Sequence, residues 1–199
     1  MTEEEAFSYL RENLLMTSAA EKLCVDREPF LNDIIAAMQH HLPFHTIKSP
    51  VTPHEERHLP TLQEIKEDMF AGTGGLCYAL NVFCRMLLRA LGFDVVFVPS
   101  DCRGYKDVHM LLIVRHLTAV GSNHMVDVGS RCPSFRAISF DFTGQTSPAY
   151  HDSFLRYRFV REGDAVVRQH TIISDSDRAE VFDATSGERF SYITIHYKK

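Results

Sequence analysis

The hydrophobic pattern of this 199-residue chain changes its period at Gly92, and that change limits the folds it can adopt. Before Gly92, apolar residues recur every three or four positions, for example over residues 30–42, and this spacing predicts helices. After Gly92, short apolar or β-branched runs alternate with turn residues, which predicts consecutive strands. We therefore expect an α+β fold in which a helical domain, residues 1–92, packs on an antiparallel β-sheet or β-barrel domain, residues 93–199.

Local signals indicate where the individual elements begin. Thr2 with Glu5, and Thr61 with Glu64, are capping-box patterns, in which each side chain satisfies an unpaired backbone donor at a helix start. The predicted elements are helices after these two boxes and over residues 29–42 and 76–91, a proline-containing loop over residues 48–60, and strands over residues 94–98, 108–114, 124–128, 154–160, 165–173 and 190–197.

Composition excludes several classes of protein. The net charge of −5 and the lack of a Lys/Arg cluster argue against a nucleic-acid partner and against binding to an anionic membrane surface. The acidic start of the chain is unlike a secretory signal, and no apolar stretch is long enough to span a bilayer. Five cysteines without a C-x-x-C pair predict no disulfide framework. We therefore expect a soluble cytoplasmic protein.

Three residues have the types and the order needed for nucleophilic catalysis. Cys77 lies in the first turn of a predicted helix, where unpaired N–H groups and the helix dipole favour a thiolate. His109 begins an apolar strand and Asp127 ends a later one, so a base and a carboxylate that orients it follow the thiol. The residues alone leave open that Cys77 is a small core residue, that His109 is structural and that Asp127 belongs to a turn.

Four segments resemble the arylamine N-acetyltransferase family. They are Leu-Pro-Phe at residues 42–44, Gly-Gly-Leu-Cys-Tyr-Ala-Leu-Asn at 74–81, Val-His-Met-Leu-Leu at 108–112 and Met-Val-Asp-Val-Gly at 125–129. Their order is the same as in the family, and the similarity extends over about residues 3–140 and, more weakly, to about residue 173. The resemblance implies a papain/transglutaminase-like catalytic core with Cys77, His109 and Asp127 as its triad.

The resemblance also implies a reaction and its partners. Acetyl-CoA would be the acyl donor, as a cosubstrate and without a permanently bound cofactor or metal. The acetyl group would pass through Cys77 to a small arylamine, arylhydroxylamine or hydrazine, as in xenobiotic metabolism. The residues expected to contact CoA are Tyr105, Lys106 and Asp107, and those expected to contact the acceptor are Phe44, Ser130 and Arg131. Whether the protein forms a homodimer is left open.

The chain departs from the family pattern at several positions. Thr73 and His45 stand where the family usually has an Arg and a Glu, so both members of one expected ion pair are missing together. Ser130-Arg131 replaces a Phe-Gly that helps to line the acyl pocket. The sequence ends near the start of the family's C-terminal α/β region, so we expect a more open site that binds CoA weakly and hydrolyses its acyl intermediate faster.

Two other functions are compatible with the same pattern. A cysteine hydrolase of the papain or transglutaminase type shares the order Cys, His, Asp. A catalytically impaired relative would act as a binding or regulatory protein. A metal site is not predicted, because prolines interrupt or precede the pairs His41/His45 and His54/His58, which have helical ligand spacing.

Overall fold

A computed structural model describes residues 1–102, 105–130, 132, 134–152, 155–172 and 190–196. Over these residues, helices occupy the N-terminal half of the chain and antiparallel strands the C-terminal half. The last helix ends at Ala90 and the first strand begins at Asp94, in agreement with the change of period at Gly92. The predicted α+β class is confirmed.

The chain divides into two compact units. The first contains Met1–Phe97 and Leu111–Ser139, and the second contains Val98–Met110 and Phe140–Lys199. The predicted division after residue 92 follows the change from helices to strands, whereas each compact unit combines two stretches of the chain that are separated in sequence. It stays a prediction about the organisation of the sequence.

Six helices lie in the first unit, as far as the chain is described: α1 (Glu3–Glu12), α2 (Ala19–Val25), α3 (Arg27–His41), α4 (Lys48–Val51), α5 (Leu62–Phe70) and α6 (Cys77–Ala90). Both predicted capping boxes form. The Thr2 hydroxyl accepts from the Glu5 N–H, and the Glu5 carboxylate accepts from the Thr2 N–H. Thr61 and Glu64 repeat this exchange at the start of α5. These two helix starts are therefore determined locally.

The structure differs from the predicted helices at two places. The predicted loop over residues 48–60 contains α4 and a 3₁₀ turn, His54–Glu56. Pro50 lies within the first turn of α4, where a missing N–H costs nothing. Helix α2 was not predicted, because it has seven residues and buries only Ala19, which leaves too short a pattern for a period to be read.

The eight strands found in the described residues are β1 (Asp94–Cys102), β2 (Tyr105–Arg115), β3 (Asn123–Val126), β4 (Ile138–Ser139), β5 (Tyr150–Asp152), β6 (Leu155–Glu162), β7 (Ala165–Ile172) and β8 (Phe190–Ile195). In the first unit, β3 pairs antiparallel with β2 and with β4, and Leu112 lies opposite Val126. This pairing sets the position at which the chain leaves β3 for Asp127.

In the second unit the strand order is β2-β1-β8-β7-β6-β5, with antiparallel pairs from β1 to β5. Strand β1 continues past the predicted end at Val98, because Ser100–Cys102 pair with β8. The Pro99 carbonyl also accepts from the His196 N–H at 3.4 Å. The predicted strand ends at residues 154, 173 and 197 lie outside the described residues.

Helix α6 is the most deeply buried helix of the first unit. Its apolar face contains Phe83, Leu87 and Leu88, each fully buried, and the Phe83 ring contacts the Tyr9 ring of α1 at 4.7 Å. Cys84 is also fully buried, so burial raises the pKa of its thiol and the Asp127 carboxylate raises it further. Cys84 is a core residue, as its place on the apolar stripe predicts.

Candidate active site

Cys77 is the first residue of α6 and is partly exposed. The loop before it depends on glycine. Gly74 has a φ of +74°, and a Cβ there would lie 2.1 Å from the carbonyl oxygen of Pro43. The Gly75 N–H donates to that same carbonyl at 3.1 Å. Because Gly74 has no side chain, the loop can lie directly against Pro43. This contact fixes the position from which Cys77 starts the helix.

A short β-bridge and a histidine hold this loop. Phe44 pairs with Gly75 as an isolated parallel bridge. His45 Nδ1 accepts from the Ile47 N–H at 3.1 Å, so its Nε2 carries the proton and donates to the Thr73 carbonyl at 2.6 Å. The two positions that would form an ion pair in the family therefore do interact here, through a neutral hydrogen bond.

Asp127 directly follows β3 and is 1% exposed. Its Oδ1 accepts from Asn81 Nδ2 at 3.1 Å and from the Gly129 N–H at 3.2 Å. The Oδ1 of Asn81 in turn accepts from the Val128 N–H at 3.1 Å. Asn81 is fully buried and lies four residues after Cys77, on the same face of α6. Its amide thus ties the Asp127 segment to the helix that carries Cys77.

Gly129 brings the two segments into direct contact. A Cβ at this position would lie 2.6 Å from the Cα of Cys77 and 2.7 Å from Asn81 Nδ2. The backbone after Asp127 therefore lies closer to the first turn of α6 than any residue with a Cβ would allow. The structure brings Cys77 and Asp127 together in this way.

The sequence alone does not assign Asn81 to this site, although the residue lies within the Cys77 segment that resembles the family. The available signal was a polar amide one helical turn after Cys77, within a helix whose neighbouring residues are apolar. A buried polar side chain needs hydrogen-bond partners, so its presence in such a stripe indicates a polar partner from another element.

His109 lies in β2 and belongs to the second unit. The residue is 9% exposed, and its carbonyl accepts from the fully buried Ser100 hydroxyl at 3.2 Å. The hydrogen bond joins β1 to β2 next to the histidine. It fixes the backbone from which the imidazole extends.

The residues expected to contact CoA form the exposed start of β2. Tyr105, Lys106 and Asp107 are all exposed, and Asp107 has a φ of +52°. The Asp107 N–H donates to Asp101 Oδ1 at 3.0 Å, and His196 Nε2 lies 3.0 Å from Asp101 Oδ2. The hydrogen bond from the Asp107 N–H contributes most, and the contact with His196 next, to lowering the pKa of the Asp101 carboxyl. Its carboxylate therefore holds the unusual Asp107 backbone in place.

A cavity of about 410 Å³ in the first unit is lined in part by two of the three residues expected to contact the acceptor. Its described lining consists of Gln39, Leu42, Pro43, Phe44, Val128, Ser130 and Phe135. Phe44 and Ser130 are therefore brought to one cavity, while Arg131 lies outside the described residues. Phe135 also lines the cavity, which the sequence alone does not indicate.

The part of the chain that the structure describes lacks two kinds of feature. None of its helices is both long and apolar enough to cross a membrane. Nor does this part contain a group of three or more His, Cys, Asp or Glu side chains that could hold a metal ion.

A family profile and several solved structures match this chain. The sequence profile of the N-acetyltransferase family matches residues 29–185. No curated protein sequence matches the chain. Among solved structures, the arylamine N-acetyltransferase from Salmonella typhimurium is 18% identical with a TM-score of 0.66, and the match covers 92% of this chain and 63% of that one.

Two structures of the arylamine N-acetyltransferase from Mycobacterium marinum are also similar. The first is 17% identical with a TM-score of 0.70 and covers 96% of this chain and 64% of the other. The second, in complex with CoA, is 18% identical with a TM-score of 0.66 and covers 83% and 60%. The chain thus spans less than two thirds of the length of these relatives. At these identities the structures show a common fold, of the papain/transglutaminase-like type. Together with the profile match over most of the sequence, they show that this chain belongs to the arylamine N-acetyltransferase family.

Proposed function

We propose that this protein transfers an acetyl group from acetyl-CoA to an arylamine, arylhydroxylamine or hydrazine through a thioester on Cys77. The observation that carries the proposal is the contact of the Asp127 segment with the first turn of α6. Asn81 bonds to the Asp127 side chain and to the backbone after it, and Gly129 abuts Cys77. A buried carboxylate fixed beside a helix N-terminal thiol is what a cysteine nucleophile with an oriented base requires.

In the first half-reaction, the Cys77 thiolate attacks the carbonyl carbon of acetyl-CoA. A C–S bond forms to Cys77, and the C–S bond to CoA breaks. His109, protonated by the Cys77 thiol, returns that proton to the leaving CoA sulfur, while Asp127 stabilises the imidazolium. The backbone N–H of Cys77, at the start of α6, is a proposed donor to the oxyanion.

In the second half-reaction, the nitrogen of the acceptor attacks the thioester carbon. His109 takes a proton from that nitrogen, the new C–N bond forms and the Cys77 thiolate leaves. The covalent intermediate divides one difficult displacement into two easier ones. No metal or resident cofactor takes part in either step.

We assign CoA binding to the exposed start of β2. A similar structure from Mycobacterium marinum is a complex with CoA, which supports CoA as the acyl carrier. Lys106 offers a positive charge to a phosphate group, and the Asp101 carboxylate fixes the Asp107 backbone next to it. The exposure of Tyr105, at 70%, leaves its ring available to a ligand.

Two-substrate kinetics test this proposal. With acetyl-CoA and an arylamine varied in turn, we expect parallel double-reciprocal lines, because the donor product leaves before the acceptor binds. Cys77→Ser should abolish transfer, and Cys24→Ser, a matched change at an exposed cysteine of α2, should not. Cleavage of amides or peptides without uptake of acetyl would instead favour a cysteine hydrolase. The absence of both reactions would favour a catalytically impaired relative.

A further inference from the structure

Phe135 supplies the cavity with an aromatic side chain from an unexpected position. The family resemblance places a Phe where this chain has Ser130, and the loss of that ring leaves substrate preference open. In the structure, Phe44 and Phe135 are the two aromatic residues among the described lining of the cavity. Both are partly exposed, so each ring has surface left for a ligand.

Helix α3 holds the segment around Phe135 through hydrogen bonds to residues before and after it in the sequence. Gln39 Nε2 donates to the Ser134 carbonyl at 2.6 Å, and Asn32 Oδ1 accepts from the Ala137 N–H at 2.7 Å. The His40 ring stacks on the Phe135 ring at 5.6 Å with an angle of 16° between planes. A ring already fixed by its neighbours loses little conformational freedom when a ligand binds to it.

The cavity borders the segments that fix Cys77. Phe44 pairs with Gly75, two residues before Cys77. Val128 and Ser130 flank Gly129, which contacts the Cys77 backbone. An acceptor in the cavity would therefore lie beside the residue that pairs with the loop before Cys77 and beside the turn that contacts the Cys77 backbone.

The chemistry of the cavity fits a neutral aromatic molecule. Its volume of about 410 Å³ suits a small ligand. The described lining combines two aromatic rings with an amide and a hydroxyl, from Gln39 and Ser130, and contains no charged side chain. An aryl ring can stack on the aromatic residues while the polar groups bind its substituents.

We propose that Phe135, fixed by α3, is a specificity-determining residue that selects acceptors with an aromatic ring. This inference rests on the proposed function and names the residue that distinguishes aromatic from aliphatic acceptors. Phe135 acts on the second half-reaction, in which the acceptor occupies the cavity.

The test compares phenylhydrazine with methylhydrazine as acceptors at saturating acetyl-CoA. The measured quantity is the ratio of their kcat/KM values. Phe135→Leu should lower this ratio about tenfold, because an aromatic contact is lost only by the aromatic acceptor. His40→Leu, which removes the stacking partner, should lower it by a smaller factor. Phe93→Leu, the same change at a buried ring beyond the C-terminal end of α6, should leave the ratio unchanged.

Because both acceptors are measured on one variant, differences in folding or in Cys77 acylation cancel from the ratio. An unchanged ratio in Phe135→Leu, while the wild type transfers to both acceptors, would overturn this inference and leave the proposed function intact. An equal fall in Phe93→Leu would also overturn it. No transfer by the wild type to either acceptor would overturn the proposed function, and this inference with it.

Discussion

Two segments that carry proposed site residues are held in different ways. The Asp127 carboxylate is fixed by buried hydrogen bonds from Asn81 and from the Gly129 N–H, and Gly129 lies against the Cys77 backbone with no room for a side chain. Residues 105–107 are exposed, and the Asp107 backbone is held by a hydrogen bond to the partly exposed Asp101 carboxylate. Buried polar contacts are costly to break, whereas water and salt weaken exposed ones. Substitutions should therefore affect the first segment much more than the second.

The largest expected effect comes from Asp127→Asn. The amide oxygen of Asn can keep both hydrogen bonds made by Oδ1, but its NH₂ group replaces the second carboxylate oxygen and cannot support an imidazolium. We expect kcat to fall by on the order of 10⁴-fold, as when a triad carboxylate is neutralised. Steady-state kinetics measure this. Asp152→Asn, at a buried carboxylate of β5, is the control and should keep most activity. Wild-type kinetics in Asp127→Asn would make Asp127 a turn residue only.

Gly129→Ala is expected to have the next largest effect. The new Cβ would meet the Cα of Cys77 at 2.6 Å, so the turn after Asp127 must move away from α6. Displacement of catalytic groups by about 1 Å can cost roughly 100-fold in rate. Gly144→Ala is the matched control, because its nearest contact would be an ordinary 3.7 Å. Equal activity of the two variants would show that the close contact has no catalytic importance.

Asn81→Leu tests the hydrogen bonds separately from the close contact. The change keeps the number and branching of the side-chain heavy atoms but removes the hydrogen bonds to Asp127 and Val128, so the carboxylate is less firmly oriented. We expect unfolding to become easier by about 1–3 kcal/mol and kcat to fall roughly tenfold. Thermal unfolding and kinetics on the same samples separate the two effects. Asn13→Leu, the matched control, removes a hydrogen bond from the side-chain amide to the Phe70 carbonyl and should lower stability without changing kcat.

The smallest effect is expected at the exposed segment. Asp101→Asn weakens the contacts with Asp107 and His196, and the acetyl-CoA KM should rise by less than about fivefold with little change in kcat. Asp94→Asn, which affects an exposed ion pair with Arg115 on β1 and β2, is the control. A loss as large as that of Gly129→Ala would remove the contrast between the two segments.

Most of the fold follows from local sequence signals. Capping boxes and hydrophobic periods act within a few residues, so the starts of α1 and α5 and the change to strands could be predicted. The position of Cys77 at a helix start could be predicted for the same reason. The predicted strand over residues 124–128 was too long, because β3 ends at Val126 and Asp127 directly follows it.

The contacts that assemble the site could not be predicted in this way. Asn81 and Asp127 are separated by 46 residues, and their hydrogen bond depends on how β3 lies against α6. The Gly129 contact likewise requires the distance between two segments, which a glycine in the sequence does not reveal. Phe135 enters the cavity because Gln39 and Asn32 hold its segment, again through contacts across the fold.

The most direct test of the account is the location of the acetyl group after the first half-reaction. The protein is mixed with acetyl-CoA without an amine, quenched rapidly in acid, digested and mapped by mass spectrometry. We predict one acetyl group per chain, as a thioester on Cys77, which disappears when an arylamine is added before the quench. An acetyl group on another residue, or an unmodified Cys77 in a protein that still acetylates the amine, would contradict the account.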